Sequence, residues 1–230
     1  INIIIDLEKT ITVTVHKTTT SSGKVIYLTI DDGPSANTPA ILDILDQYNV
    51  KATFFVTAQS PNYLDYIRIA HEKGHSIGLH TYSHNYAQVY ANEAAYFSDL
   101  QAISDVVYEK TGVRSHIIRF PGGSSNTVSA NYNSGIMSRL SKEVQNKGYQ
   151  YFDWNAASGD GNSALPASTL IQTAKSYGNY PSVMMLTHDH SGSHSSVETL
   201  PEIISYYQNL GYTFETVDVN TNGYHHGINN

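Results

Sequence analysis

The stretch Lys24-Val25-Ile26-Tyr27-Leu28-Thr29-Ile30-Asp31-Asp32-Gly33-Pro34-Ser35 decides the fold, because it joins an apolar segment directly to a polar one. Its first half is the kind of short apolar run that forms a strand buried on both faces of a parallel sheet. Two carboxylates about 4 Å apart repel each other by about 4 kcal/mol at an effective dielectric constant of about 20. The stretch therefore predicts a strand that ends in a cleft where a positive group lies beside Asp31 and Asp32.

Outward from this stretch, short apolar segments alternate with segments that carry helix signals. Helix starts are marked by Thr38-Pro39 and Ser60-Pro61, and glycines follow several helix ends. This alternation predicts parallel strands with crossover helices, either as a seven-stranded distorted barrel or as an open doubly wound sheet. The predicted strands are residues 25–30, 52–57, 76–80, 116–120, 150–154, 183–188 and 212–217.

The chain divides into three parts. Residues 1–23 alternate weakly and then become rich in Thr and Ser, so we expect a short β leader and linker; residues 24–219 form one catalytic domain, and residues 220–230 form a tail. No apolar run approaches the roughly 18 residues of a membrane span. The chain begins with Ile1 rather than Met, and we expect that a targeting segment has been removed.

The composition of the chain excludes some classes of binding partner. The 230 residues include 40% hydrophobic and 14% charged residues, and the formal net charge is −7. A negative chain without clustered Lys and Arg is not suited to nucleic acid or to an anionic membrane. We expect a monomer, and the 18 Tyr residues with abundant Asn and Ser suggest a surface that meets polar, planar-faced ligands such as sugars.

Polar side chains recur at the carboxyl ends of the predicted strands. In parallel α/β folds these ends meet on one face, where ligands bind. Their convergence is the main functional signal of the sequence. The residues are Asp31, Asp32, His80, Arg119, Asp153, Trp154 and His188.

The sharpest local motif is His80-Thr81-Tyr82-Ser83-His84. Histidines four positions apart can reach one metal if the loop turns helically. A divalent ion could be the positive group beside Asp31 and Asp32, since one carboxylate can bind the ion while the other accepts a proton from water. Arg119, a charge within an apolar run, is suited to pairing with the free carboxylate.

Five segments in order resemble the polysaccharide deacetylases, the NodB-homology domains of carbohydrate esterase family four. Thr29-Ile30-Asp31-Asp32-Gly33-Pro34 resembles the first motif, with Ile30 where Phe is usual. His80-Thr81-Tyr82-Ser83-His84 matches the second motif, Arg119-Phe120-Pro121 the third and Leu186-Thr187-His188 the fifth. The resemblance is strongest to the peptidoglycan N-acetylglucosamine deacetylases of Gram-positive bacteria, which implies an extracellular or cell-wall location.

The resemblance implies a distorted (β/α)7 barrel and a divalent metal, Zn²⁺ first and Co²⁺ as the alternative. It implies Asp31 as the general base and Arg119 as the residue that orients it. It implies that the metal ligands are Asp32, His80 and His84.

The resemblance also implies His188 as the general acid and Leu186 as a wall of the pocket for the acetyl methyl group. The fourth motif aligns by Trp154, which we assign to substrate binding, but the acidic residue expected to support His188 falls on Ala157. Asp153 or Asp160 must then supply that carboxylate, and we favour Asp153 because it ends a predicted strand.

The third motif departs from the family at Gly122, where an aromatic residue is usual. The resemblance gives the Gly122 N–H the role of polarising the carbonyl, and the lost ring is expected to leave one wall of the cleft open. Alternative substrates are acetylxylan and chitin oligomers. Two rival functions are a non-catalytic glycan-binding relative and a non-haem Fe(II) oxygenase, which also uses two His and one carboxylate.

Overall fold

The computed structural model describes residues 23–161, 165–190 and 195–230. The predicted leader at residues 1–23 lies outside the described residues except for Gly23. Within the described part, no helix is both long enough and apolar enough to cross a membrane.

Strands and helices alternate along the domain as predicted. The strands are β1 (Val25–Asp31), β2 (Thr53–Val56), β3 (Ser76–Leu79), β4 (Ile117–Ile118), β5 (Gln150–Tyr151), β6 (Ala156–Ala157), β7 (Ser182–His188) and β8 (Thr213–Glu215). The helices are α1 (Thr38–Gln47), α2 (Asp65–Glu72), α3 (Tyr86–Val89), α4 (Glu93–Thr111), α5 (Ile136–Asn146), α6 (Ala167–Lys175) and α7 (Ser195–Asn209).

The strands form one curled, barrel-like parallel sheet, which confirms the predicted fold class. The order is β5-β4-β3-β2-β1-β7-β6, and β8 pairs with the first half of β1. Every recorded pairing between described strands is parallel. Because β1 lies at the centre, Asp31 is in register with His188 at the end of β7.

Several strands differ from the sequence-based boundaries, and those predicted at residues 116–120 and 212–217 are shorter, at Ile117–Ile118 and Thr213–Glu215. The strand predicted at residues 150–154 is shorter, and a separate short strand, β6, follows it. Asn155 explains the break, because its side chain accepts a hydrogen bond from the Met184 N–H (2.7 Å) and donates one to the Ser182 carbonyl (2.9 Å). The chain is thereby turned towards β7, where Ala156 and Ala157 pair with Met185 and Leu186.

The C-terminal segment, residues 223–230, packs against the sheet at the gap between β5 and β6. The Asp153 N–H donates to the Tyr224 carbonyl (2.7 Å), and the Tyr224 hydroxyl donates to the Ser182 carbonyl (3.1 Å). The ring of His225 stacks on Tyr151 with 3.8 Å between centroids. The segment expected to be a tail thus links β5 to β7.

Candidate active site

Three side chains that the sequence predicts as metal ligands converge at one end of the sheet. Asp32 directly follows β1, and His80 directly follows β3. Asp32, Thr81 and His84 have positive φ angles of 75°, 73° and 50°, an uncommon conformation that turns the two loops towards each other. The ligand atoms of Asp32, His80 and His84 all lie within 4.8 Å of one another.

The donor set fits a divalent ion. Asp32 Oδ1 lies 3.5 Å from His80 Nε2 and 3.4 Å from His84 Nε2. Zinc bonds of about 2.0–2.1 Å in tetrahedral geometry place ligand atoms about 3.4 Å apart. Asp32 Oδ1 is buried and has no hydrogen-bond partner among the described residues, as expected for an atom that binds an ion.

A hydrogen bond fixes the tautomer of His80. Its Nδ1 lies 2.8 Å from the Arg119 carbonyl, which can only accept, so Nδ1 carries the proton. Burial, with a smaller contribution from His84, lowers the pKa of His80 to about 3. The ring is therefore neutral, and its Nε2 presents a lone pair to the site.

Asp31 is held by Arg119, as the sequence predicts. Arg119 Nη1 donates to Asp31 Oδ1 at 2.8 Å, and both side chains are almost completely buried. Burial raises the pKa of Asp31, while the charge of Arg119 acts in the opposite direction. Asp31 Oδ2 lies 3.8 Å from His80 Nε2, so the carboxylate faces the metal site without belonging to the ligand triad.

Arg119 itself is fixed by three hydrogen bonds besides the one to Asp31. Its Nε donates to the Phe152 carbonyl (2.9 Å), its Nη1 also donates to Thr29 Oγ1 (2.7 Å), and its Nη2 donates to the Asp153 carbonyl (2.9 Å). The guanidinium carbon lies 4.4 Å from the ring centroid of Phe55. A buried guanidinium with this many partners has one available orientation, which sets the position of the Asp31 carboxylate.

The carboxylate that supports His188 is that of Asp160. Asp160 Oδ1 lies 2.8 Å from His188 Nδ1, and Asp160 Oδ2 accepts from the His188 N–H (2.8 Å) and from Ser196 Oγ (2.9 Å). Burial acts to lower the pKa of His188, but the hydrogen bond and charge of Asp160 outweigh it and raise the pKa to about 9. The expectation that Asp153 has this role is wrong.

The Asp153 carboxylate instead binds the loop after β4 and the C-terminal segment. Its carboxylate accepts from the Ser124 N–H (2.7 Å), from the Ser124 hydroxyl and from the His226 N–H (2.8 Å). Its carbonyl accepts from Arg119. Asp153 therefore connects the C-terminal segment to the arginine that holds Asp31.

Gly122 lies in a tight turn that leaves its N–H available. The Gly123 N–H donates to the Phe120 carbonyl (2.8 Å), and Gly122 has a φ of 76°, the pattern of a type II turn with proline at its second position. The Tyr90 hydroxyl donates to the Pro121 carbonyl (2.7 Å). Because a trans peptide is planar, this bond directs the Gly122 N–H to the other side, where no described residue accepts from it.

The cleft wall beside Gly122 is not open, contrary to our expectation. A β-carbon built on Gly122 would lie 2.5 Å from the hydroxyl oxygen of Tyr86. The Tyr86 ring contacts the rings of His84 and Tyr90 edge-to-face, with centroids 5.7 and 5.4 Å apart. The short helix α3, which the sequence-based strand and helix boundaries do not include, thus supplies an aromatic wall.

The two other residues assigned to substrate binding lie at different depths. Leu186 is buried on β7, two residues before His188. Trp154 is half-buried, lines a cavity of about 320 Å³ with Tyr177 and His226, and lies 5.6 Å from the Arg119 guanidinium. Both remain predictions as substrate contacts.

A buried carboxylate that the sequence does not single out anchors the loop after β1. Asp189 accepts hydrogen bonds of 2.5 Å from the hydroxyls of Ser35 and Thr38, and its N–H donates to the Asp31 carbonyl (2.8 Å). A β-carbon on Gly33 would lie 2.6 Å from Asp189 Oδ2. The Asp31-Asp32 pair is therefore held from both ends of its loop.

The chain is similar to known proteins in sequence and in fold. A family model described as polysaccharide deacetylase matches residues 18–138. The catalytic domain of peptidoglycan N-acetylglucosamine deacetylase from Eubacterium rectale ATCC 33656 is 42% identical, with a TM-score of 0.87 over 90% of this chain and 94% of that one.

Two curated relatives are longer than this chain. YheN of Bacillus subtilis (strain 168) is 31% identical over 202 residues, which are 85% of this chain and 67% of YheN. A bifunctional xylanase/deacetylase of Pseudobutyrivibrio xylanivorans is 29% identical over 203 residues, 87% of this chain and 31% of that protein. The chain belongs to the polysaccharide deacetylase family, whose members hydrolyse N-acetyl amide bonds of glycans.

Proposed function

We propose that this chain removes acetyl groups from N-acetylglucosamine units of a polysaccharide, with peptidoglycan as the substrate and a divalent metal, Zn²⁺ first, as the cofactor. The observation that carries the proposal is the pairing of Asp31 with Arg119 beside the Asp32–His80–His84 triad, with His188 at the end of the neighbouring strand β7 and hydrogen-bonded to Asp160. This arrangement supplies a base, an acid and a metal site within one cleft.

Asp31 acts as the base. Its Oδ1 is engaged by Arg119, so Oδ2, which faces the metal site, is the atom available to take a proton from water. The raised pKa of Asp31 makes it a better proton acceptor than an exposed aspartate, and Arg119 keeps it ionised. The water oxygen then bonds to the acetamide carbon.

His188 acts as the acid. Its Nδ1–H is engaged by Asp160, and a pKa of about 9 keeps Nε2 protonated at neutral pH. Nε2 can donate its proton to the amide nitrogen as the carbon–nitrogen bond breaks, which yields acetate and a free amine. Asp160 keeps the imidazolium oriented throughout.

Asp32, His80 and His84 would hold the divalent ion, which when bound lowers the pKa of water and polarises the acetamide carbonyl. The Gly122 N–H, held by the Tyr90–Pro121 hydrogen bond, donates to the oxygen that becomes negative as the carbonyl is attacked. Leu186 would line the space for the methyl group.

The choice of peptidoglycan rests on the E. rectale relative, and the xylanase/deacetylase relative supports acetylxylan as a second candidate. A panel of peptidoglycan, chitooligosaccharides and acetylxylan, each with Zn²⁺ or Co²⁺, separates them by the acetate released. We expect the highest rate with peptidoglycan, and a higher rate with acetylxylan would overturn that choice. Absence of acetate from all three would support a non-catalytic glycan-binding relative, and consumption of O₂ would support an oxygenase.

We further propose that the protein works as a monomer outside the cell or at the cell wall, where peptidoglycan is found. Size-exclusion chromatography with light scattering would test the monomer, with a mass near 25.3 kDa expected.

A further inference from the structure

Beside the acid, base and metal ligands, the cleft holds the side chain of Tyr86, whose hydroxyl has no hydrogen-bond partner among the described residues. Tyr86 begins α3, two residues after the proposed ligand His84. Its ring is half-buried, and the edge-to-face contacts with His84 and Tyr90 occupy its sides. These contacts fix the direction of its hydroxyl.

The hydroxyl points to Gly122, in the turn that follows β4. It lies 2.5 Å from the place that a β-carbon on Gly122 would take, so a larger residue at this position would have to displace the Tyr86 hydroxyl. No described residue makes a hydrogen bond to the Tyr86 hydroxyl. Tyr90, by contrast, places its own hydroxyl on the Pro121 carbonyl at 2.7 Å.

A tyrosine hydroxyl both donates and accepts, which matches the hydroxyl groups of a sugar. The site already provides partners for the reacting acetamide, namely the Gly122 N–H, Asp31 and His188. The remaining polar groups of a bound glycan are its ring hydroxyls. A polar atom held rigidly at the cleft wall is suited to selecting a substrate by such groups.

We propose that Tyr86 is a substrate-binding residue whose hydroxyl forms a hydrogen bond with a ring hydroxyl of the sugar unit being deacetylated. This inference rests on the proposed deacetylase function and adds a specificity determinant to it. Tyr86 and Gly122 act together, because the absence of a side chain at Gly122 makes room for the hydroxyl.

The test compares two substrates for the wild type and Tyr86→Phe, both loaded with Zn²⁺. One substrate is N-acetylchitotetraose, and the other is 4-nitrophenyl acetate, which has no sugar hydroxyl. For the glycan we expect kcat/KM to fall about three- to tenfold, chiefly through KM, which corresponds to the loss of one neutral hydrogen bond. For 4-nitrophenyl acetate we expect no change, whereas damage to the site would lower both rates.

Tyr108→Phe is the matched control. Tyr108 is 47% exposed near the end of α4, and its ring centroid lies 4.3 Å from the guanidinium carbon of Arg114, which precedes the amino end of β4, opposite the strand ends that carry the active site. We expect Tyr108→Phe to behave as wild type with both substrates. If Tyr86→Phe deacetylates the glycan as fast as wild type, or loses equal activity on both substrates, the inference is overturned while the deacetylase function stands. A wild type that releases no acetate overturns the proposed function and this inference with it.

A second measurement tests the Tyr86–Gly122 contact without any turnover. Gly122→Ala places a β-carbon against the Tyr86 hydroxyl and keeps a positive φ angle. We expect it to lower the Tm more in the wild-type background than in Tyr86→Phe, where the colliding oxygen is absent. An equal fall in both backgrounds would contradict the contact on which the inference depends.

Discussion

Replacing Asp160 by Asn should shift the titration of His188. In the wild type the pKa of His188 is raised to about 9, against an ordinary value of 6.5, although burial acts to lower it. A shift of roughly 2.5 units corresponds to ~3 kcal/mol in favour of the protonated ring. The side chain of His188 is 20% exposed, so screening by solvent reduces this figure only modestly.

The expected change in protonation is large near neutral pH. At pH 7.5 a pKa of about 9 leaves about 97% of His188 protonated. Without the hydrogen bond and charge of Asp160, burial is the largest remaining influence on the pKa, and the charges of Asp31 and Asp32 oppose it. A ring returned to the ordinary pKa of 6.5 is about 10% protonated at this pH. As the general acid, His188 should then support roughly tenfold less turnover at that pH, in addition to any loss from misorientation.

The assay is NMR titration of the imidazole Cε1–H resonances in metal-free protein, with His188→Gln used to assign the signal. Asp153→Asn is the matched control, because its carboxylate bonds to Ser124 and the His226 N–H rather than to His188. The reasoning would be refuted if Asp160→Asn left the midpoint of His188 near 9, or if Asp153→Asn lowered it by as much.

Three further predictions follow from the same geometry. Since the pKa of His188 is raised in the folded state, its contribution to stability is complete below pH ~6.5 and is lost as the pH rises through about 9. Urea unfolding should show the free energy of unfolding of the wild type falling by up to ~3 kcal/mol over this range, a fall that Asp160→Asn lacks. The same pH dependence in both proteins would contradict the pairing of His188 with Asp160. Gly33→Ala pushes a β-carbon against Asp189 and should lower the free energy of unfolding by about 1–3 kcal/mol, whereas a neutral result would mean that the loop yields freely. Truncation after Asn222 removes two partners of Asp153, the Tyr224 carbonyl and the His226 N–H, and should lower the Tm and the turnover while the His188 midpoint stays unchanged. A truncated chain as stable as wild type would show that the C-terminal segment does not support the sheet.

Most of the site was predictable because its residues follow strands whose ends must meet. Asp31 and Asp32 end the central strand, and His80 and Arg119 end two strands on one side of it. His188 ends β7 on the other side. Their residue types and their positions at strand ends were enough to predict, without coordinates, that these five residues lie close together.

The same rule failed for the partner of His188. Asp153 follows β5 and met the strand-end criterion, but Asn155 turns the chain into an additional short strand. That extra strand brings the turn containing Asp160 to His188. A two-residue strand leaves too weak a pattern in the sequence to be recognised, so the choice between the two carboxylates needed the fold.

Contacts made by loops were also beyond the sequence. Asp189 anchors Ser35 and Thr38 across more than 150 positions, and neither residue type carries a signal for such a bond. Tyr86 fills the space beside Gly122 although the departure at Gly122 suggested a missing wall. In both cases a residue of one loop contacts a loop that is distant in the sequence, and such contacts are seen only in the folded structure.

The central claim is that Asp31 and Asp32, adjacent in the chain, do different work. The most direct measurement is zinc content together with acetate release from N-acetylchitotetraose, made on the wild type, Asp31→Asn and Asp32→Ala after identical loading with Zn²⁺. We predict one zinc per chain and full turnover in the wild type, one zinc but at least about 100-fold lower turnover in Asp31→Asn, and loss of both in Asp32→Ala. Wild-type turnover in Asp31→Asn, or retained zinc in Asp32→Ala, would contradict the account.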